Sequence, residues 1–288
     1  MNATTKSPQT GSHPVAASAP GRSRRRRIAE AIGFVAVWMV AGFALHLPSN
    51  GYLLLGIPLT AAFQVLVRRR PLRELFAAGT DRFALIRQGM VVAAVLAATP
   101  AYYAGKAVLD GDWLTAGWYV AALIGAVAAG FALRVQAIAT TLRDAARPIA
   151  VGAGEFVTVY GVLHVATGTP LPTVAALVTL VKYTALYFPA TFLMEEVAFR
   201  GAIDAHVHHD GDRRGWASAV FVSALWGLWH LPVSSDFPLP LMVAELVVVH
   251  IALGVWLSFA WRRTGNLAAP ALAHAVNDAV RNATMLGL

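Results

Sequence analysis

"TVAALVTLVKYTALYFPATFLMEEVAFR", residues 173–200, is an apolar run that closes on two adjacent carboxylates and a guanidinium. At 1.5 Å per residue, about 20 apolar residues cross a hydrocarbon layer roughly 30 Å thick, so the run reads as a membrane span. Charge within such a span is costly: estimates for one charge at mid-membrane run from about 2.5 to more than 10 kcal/mol. Glu195, Glu196 and Arg200 must therefore face one another, a partner or water.

The rest of the chain has the same character. Over 288 residues, 57% are hydrophobic, 13% are charged and the mean hydropathy is +0.59, which is more apolar than an ordinary soluble domain. Apolar runs recur at about 28–47, 51–67, 88–108, 113–134, 148–167, 173–200, 216–232, 240–261 and 267–286. The expected fold is all-α, a polytopic transmembrane bundle of eight or nine helices in one domain, 28–288. Residues 1–27, rich in Ser, Pro, Gly and Arg, read as a disordered basic cytoplasmic tail. The run that follows is longer than the apolar part of a cleaved signal and reads as a retained anchor.

A net charge of +8 invites a nucleic-acid reading, but the Arg clusters sit between spans rather than along a soluble face. No nucleic-acid partner is expected. Basic clusters at the tail, at 68–73, 134–147, 212–214 and 261–263 alternate with uncharged or acidic connections, which places the N-terminus in the cytoplasm and the chain in the cell membrane. The bilayer is the first partner. With no Cys, disulfides and thiolate chemistry are excluded.

Within "EEVAFR", Glu196 and Arg200 lie four apart on one helix face, while Glu195 points about 100° away, free for another partner. "ALWGLWHLP" carries His230 four residues after Trp226, and "LAAPALAHAVNDA" carries His274 with Asn277 and Asp278 three and four residues on. Any one of these alone reads as a helix-end ion pair or a core histidine. Together they form a hydrolytic set, in which a carboxylate and an imidazole activate water while a second imidazole and a polar neighbour stabilise the oxyanion.

The three motifs, Glu-Glu-x-x-x-Arg, aromatic-x-x-x-His and His-x-x-x-Asp in that order over about 175–285, resemble the CAAX-protease and bacteriocin-processing family of intramembrane glutamic endopeptidases, which includes the type II prenyl-protein endopeptidases. The resemblance implies that Glu195 and His230 activate the nucleophilic water. It also implies that Glu196 and Arg200 support the site, and that His274 with the residue four positions on forms the oxyanion side. Asp278 stands where Asn is more usual. An ionised Asp repels an oxyanion, so Asp278 is expected to be protonated, to orient His274 or to leave the donor role to Asn277. The implied substrate is a membrane-associated peptide or protein, either a lipidated C-terminus or the leader of a small peptide.

Depth adds a constraint. Were the Glu-bearing helix to stop at Arg200, Glu195 would lie only about 8 Å from its end, whereas His230 would be about 22 Å deep. The helix is therefore expected to continue through "GAIDAHVHH", with Arg200 inside a water-filled, cytoplasm-facing cavity.

No cofactor motif is present, but Glu195, His230 and His274 leave a zinc site open as an alternative, although no His-Glu-x-x-His helix supports it. His206, His208, His209, Asp210 and Asp212 form a second candidate metal cluster, more simply read as a solvated loop. Glu155, Lys182, Glu245 and His250 read as paired or cavity-lining groups, and Tyr52, Trp113, Trp216 and Trp261 as interfacial anchors. A non-catalytic immunity or transport protein could keep the same polar hollow. It would have no reason to hold Glu195 and His230 within about 4 to 7 Å, the span of one bridging water.

Overall fold

The computed structural model describes residues 23–133, 137–170, 173–208, 215–234 and 237–288. Among the described residues nine long helices follow one another: α1 (Arg24–Ala44), α2 (Ser49–Val67), α3 (Arg87–Leu109), α4 (Trp113–Ala132), α5 (Ile138–Thr167), α6 (Thr173–Val207), α7 (Trp216–Val233), α8 (Leu239–Thr264) and α9 (Ala268–Thr284). The first eight are long and apolar enough to cross a membrane, and the protein is a multi-pass membrane protein. α9, at 17 residues, is shorter and amphipathic. Its polar face turns into the bundle, where His274 and Asn277 are buried.

α1 begins at Arg24, inside the stretch expected to be an unfolded tail. Ser23 caps it by accepting from the Arg26 amide at 3.4 Å, and Arg26 Nε pairs with Glu30 one turn on at 3.0 Å. Residues 1–22 of that expected tail lie outside the described residues.

α6 runs through the middle of the bundle, against α2, α4, α7, α8 and α9. Pro189 removes one backbone donor from it, and shortly beyond, over Phe192–Asp204, it winds as a π-helix for 13 residues. Nearly all of this segment is buried, and the helix continues past Arg200 to Val207, as the depth argument required. His208 ends it in extended backbone, and His209 lies outside the described residues.

On the outer surface, Val37, Val40, Val95, Ile124, Val162 and Val248 are exposed, as lipid-facing side chains must be. Trp113 and Trp216 are exposed too, consistent with anchors. Tyr52 and Trp261 are not: both are buried. Tyr52 lies on the inward face of α2, where its hydroxyl donates to the Trp229 carbonyl at 2.8 Å and its own carbonyl accepts from Trp38 Nε1 at 2.9 Å. With Phe199 these rings form an aromatic block that backs the end of α7.

Candidate active site

The π winding bears directly on the two adjacent glutamates. A wider turn separates successive side chains by less than the usual 100°, so both carboxylates can reach the same neighbour on α9. That neighbour is His274. Its Nδ1 lies 2.9 Å from Glu196 Oε1, and its Nε2 lies 3.9 Å from Glu195 Oε2.

Glu196 is fully buried and held by Arg200, whose Nη1 donates to Oε1 at 3.0 Å. The Arg200 guanidinium lies 4.3 Å from the centre of the Trp226 ring, and its Nη2 donates to the Gly254 carbonyl at 3.4 Å. Gly254 permits this approach, since a Cβ there would stand 2.9 Å from Arg200 Nη2 and 2.6 Å from Ser223 Oγ. Arg200 is therefore in dry interior rather than in the water-filled cavity expected for it. An acid, a carbonyl and an aromatic face replace its water.

Glu195 points the other way, into open space. Its Oε2 accepts from Trp226 Nε1 at 3.0 Å and lies 4.0 Å from His230 Nε2. His230 sits at the end of the α7 helical run, where Nδ1 meets the Trp226 carbonyl at 2.9 Å. A carbonyl only accepts, so Nδ1 carries the hydrogen and Nε2 of the neutral ring is left as an acceptor facing Glu195. A water about 2.8 Å from both Glu195 Oε2 and His230 Nε2 would subtend an angle of about 90° between them, close to what two hydrogen bonds from one water need.

Asp278 Oδ2 lies 3.4 Å from His274 Nε2, and its Oδ1 lies 3.5 Å from Arg281 Nη1. Between two potential cations, this carboxylate can orient His274, one of the roles left open for it. Asn277 is separated from the group. It is buried against α5, donating from Nδ2 to the Pro148 carbonyl at 3.2 Å, and a Cβ on Gly152 would strike its amide at 2.3 Å. The cavity lining includes Asp278 and does not include Asn277. Positions 277 and 278 lie on adjacent helix faces, and only that of Asp278 looks into the cavity.

Two participants were only faintly legible in the sequence. Trp226 served there as a spacing marker for His230, yet its indole N–H fixes the Glu195 carboxylate. His250, known only as an intramembrane polar residue, puts its ring 4.3 Å from that of His230 and 4.6 Å from that of Trp226, with Nδ1 at 2.6 Å from the Leu246 carbonyl.

These groups line one cavity of about 510 Å³, together with Tyr160 of α5 and Glu245 of α8. Its rim is made by Ser49 at the start of α2, Ser234 and Phe237 between α7 and α8, and Met285 after α9. Those are the ends of the helices remote from the Arg clusters, so the cavity does not open on the arginine-rich face expected for it. That face is closed by a second buried ion pair, Arg262 with Asp204, at 2.8 Å from Nε to Oδ2.

Residues 176–280 match the family model described as Type II CAAX prenyl endopeptidase Rce1-like. Over this stretch the chain is similar to the CAAX-protease family. No curated protein and no solved structure matches the chain. The Rce1-like stretch starts within α6 and ends within α9, so it contains all three motif-bearing helices and none of α1–α5. The match supports, in general terms, an intramembrane endopeptidase of CAAX type.

Among the described residues, no group of three or more His, Asp and Glu side chains is arranged to hold a metal ion. In the second candidate cluster, His206 Nε2 pairs with Glu30 Oε2 at 2.8 Å and His208 Nδ1 meets Ser218 Oγ at 3.4 Å. His209, Asp210 and Asp212 lie outside the described residues.

Proposed function

We propose that the protein is a cell-membrane endopeptidase, N-terminus in the cytoplasm, that cleaves a peptide bond in a membrane-associated peptide or protein by metal-free Glu/His catalysis. The observation that carries this reading is the 4.0 Å gap between Glu195 Oε2 and His230 Nε2 at the floor of a cavity. It is too wide for a direct hydrogen bond and suits one bridging water.

In the proposed mechanism the water donates one hydrogen to each of these atoms, which leaves its lone pair free for the substrate carbonyl. Attack forms the C–O bond and passes one proton to Glu195. The resulting oxyanion takes a hydrogen bond from His274 Nε2–H, while Glu196 orients the ring through Nδ1 and the Asp278 carboxylate beside Nε2 favours its protonated form. Collapse breaks the C–N bond, and the proton held by Glu195 goes to the leaving amine. Water's two hydrogens thus end on the new acid and the new amine. Trp226 positions Glu195, Arg200 neutralises Glu196, and the aromatic block of α1, α2 and α7 stiffens the seat of His230.

The substrate, lipidated or not, is found by comparing the peptides released from membranes carrying wild-type and Glu195→Gln protein. Glu195→Gln and His230→Ala are expected to abolish cleavage while the thermal unfolding profile in detergent stays near that of wild type. Cleavage that survives Glu195→Gln would refute the mechanism.

A further inference from the structure

Lys182 stands within α6, yet it neither lines the cavity nor pairs with a carboxylate among the described residues. Its side chain is exposed on the outside of the bundle, where α3, α4 and α6 pack together and bring Tyr103, Tyr119 and Tyr183 around it. We propose that Lys182 and these tyrosines form a binding site for the phosphate of an anionic phospholipid.

The cluster has the donors such a ligand needs. The Lys182 ammonium lies 5.4 Å from the centre of the Tyr103 ring and 5.3 Å from that of Tyr183, and Tyr103 stacks on Tyr119 with centres 5.5 Å apart. Lys182 donates to the Tyr103 hydroxyl. An oxygen that accepts this bond keeps its own hydrogen to give, and the ammonium has further hydrogens of its own. Asp112 acts on Tyr119 but is engaged at the start of α4, where it accepts from the Thr115 amide at 3.0 Å. A lipid phosphate supplies what the cluster lacks, a negative charge with several acceptor oxygens.

Depth agrees with a ligand drawn from the bilayer. α6 has 35 residues and is about 50 Å long, about 20 Å more than the hydrocarbon layer it crosses. If the excess is shared between its ends, hydrocarbon begins about 10 Å from Thr173, and Lys182 follows at about 13 Å. Its four-carbon stem reaches back to the headgroup level. Exposed Trp113, which opens α4 at the same end of the bundle, marks that level. A lysine that only snorkels to water needs no partners. Tyrosines from three helices make a shaped pocket, and basic pockets between membrane helices are where lipid head groups bind.

The test uses the full-length protein, purified in detergent and titrated with phosphatidylglycerol, with retained lipid read by native mass spectrometry. Lys182→Met keeps the stem and removes the charge, and Tyr103→Phe keeps the ring and removes the hydroxyl. Each is expected to weaken retention about fivefold, the equivalent of about 1 kcal/mol at 1.36 kcal/mol per factor of ten. Lys182→Arg should restore retention, which a folding defect at this position would not allow. Phosphatidylcholine, whose phosphate carries its own cation, should be held at least fivefold more weakly than phosphatidylglycerol. Lys106→Met removes another exposed lysine, from the last turn of α3, and is expected to leave retention within twofold of wild type. Retention unchanged in Lys182→Met would overturn the site, and so would an equal loss from Lys106→Met, the mark of diffuse attraction to a basic surface. Displacement of the lipid by inorganic phosphate would overturn the lipid assignment in favour of a soluble anion.

Discussion

Replacing Trp226 by Phe removes one hydrogen-bond donor and keeps an aromatic ring, which makes it the sharpest probe of how Glu195 is held. The indole N–H to Oε2 contact, 3.0 Å long, is the only side-chain hydrogen bond to Glu195 among the described residues. A hydrogen bond to a charged group contributes about 1.5 to 3 kcal/mol, and each 1.36 kcal/mol is a factor of ten in rate. If Glu195 is misplaced by that energy in the transition state, kcat falls between about 13-fold and 160-fold. KM should move little, because the indole donor is spent on the enzyme's own carboxylate.

The ring itself has other work. It carries the Arg200 guanidinium at 4.3 Å and stands edge to face with His274 at 4.9 Å, so a phenyl ring preserves those contacts better than Ala would. Some loss of thermal stability follows from the smaller ring in a buried site. The assay is steady-state cleavage, in proteoliposomes, of the peptide found from the Glu195→Gln comparison, alongside unfolding of the same preparations. A folded Trp226→Phe protein whose kcat stays within threefold of wild type would refute the claim that this indole positions the general base.

Arg200→Met leaves Glu196 buried without its cation, a loss expected to cost about 3 to 5 kcal/mol and to lower the unfolding temperature even where no substrate is present. Asn277→Ala is expected to lose stability by about 1 to 3 kcal/mol through its buried contact with α5, with kcat per folded molecule nearly unchanged, whereas Asp278→Ala should lower kcat at least tenfold; the reverse ranking would restore the oxyanion role to Asn277. His250→Ala should reduce kcat more than it raises KM, because it unseats the His230 ring without touching the rim. Treatment with a chelator should leave cleavage intact, and a loss reversed only by zinc would revive the two-histidine, one-carboxylate alternative.

The bundle was legible because the lipid leaves so few options: long apolar runs must be helices, and their lengths set their number. The three motif-bearing helices were legible for the same reason, since charge is conspicuous against an apolar background. The side of the mouth was not. The sequence tells which helix ends are basic, and a catalytic site was expected to open there. The ion pair that closes that end, Asp204 with Arg262, joins residues 58 apart, and no local pattern announces it. Tyr52 and Trp261 misled in a similar way: a ring near a span end suits an interface or an interior equally well, and only the facing helix decides.

The winding of α6 lay furthest from view, and it changes the meaning of the two adjacent glutamates. With regular α-helical spacing they point about 100° apart, one to Arg200 and one to the site, and their adjacency is incidental. With the π turns that follow Pro189, both close on His274, Glu196 from Nδ1 and Glu195 from the side of Nε2. One carboxylate is then bound to Arg200 in the dry interior while its neighbour is left at the water's edge. That division explains why the chain keeps both: Glu196 fixes the imidazole against which Glu195 must work, and a wide helical turn is what allows consecutive residues to do so.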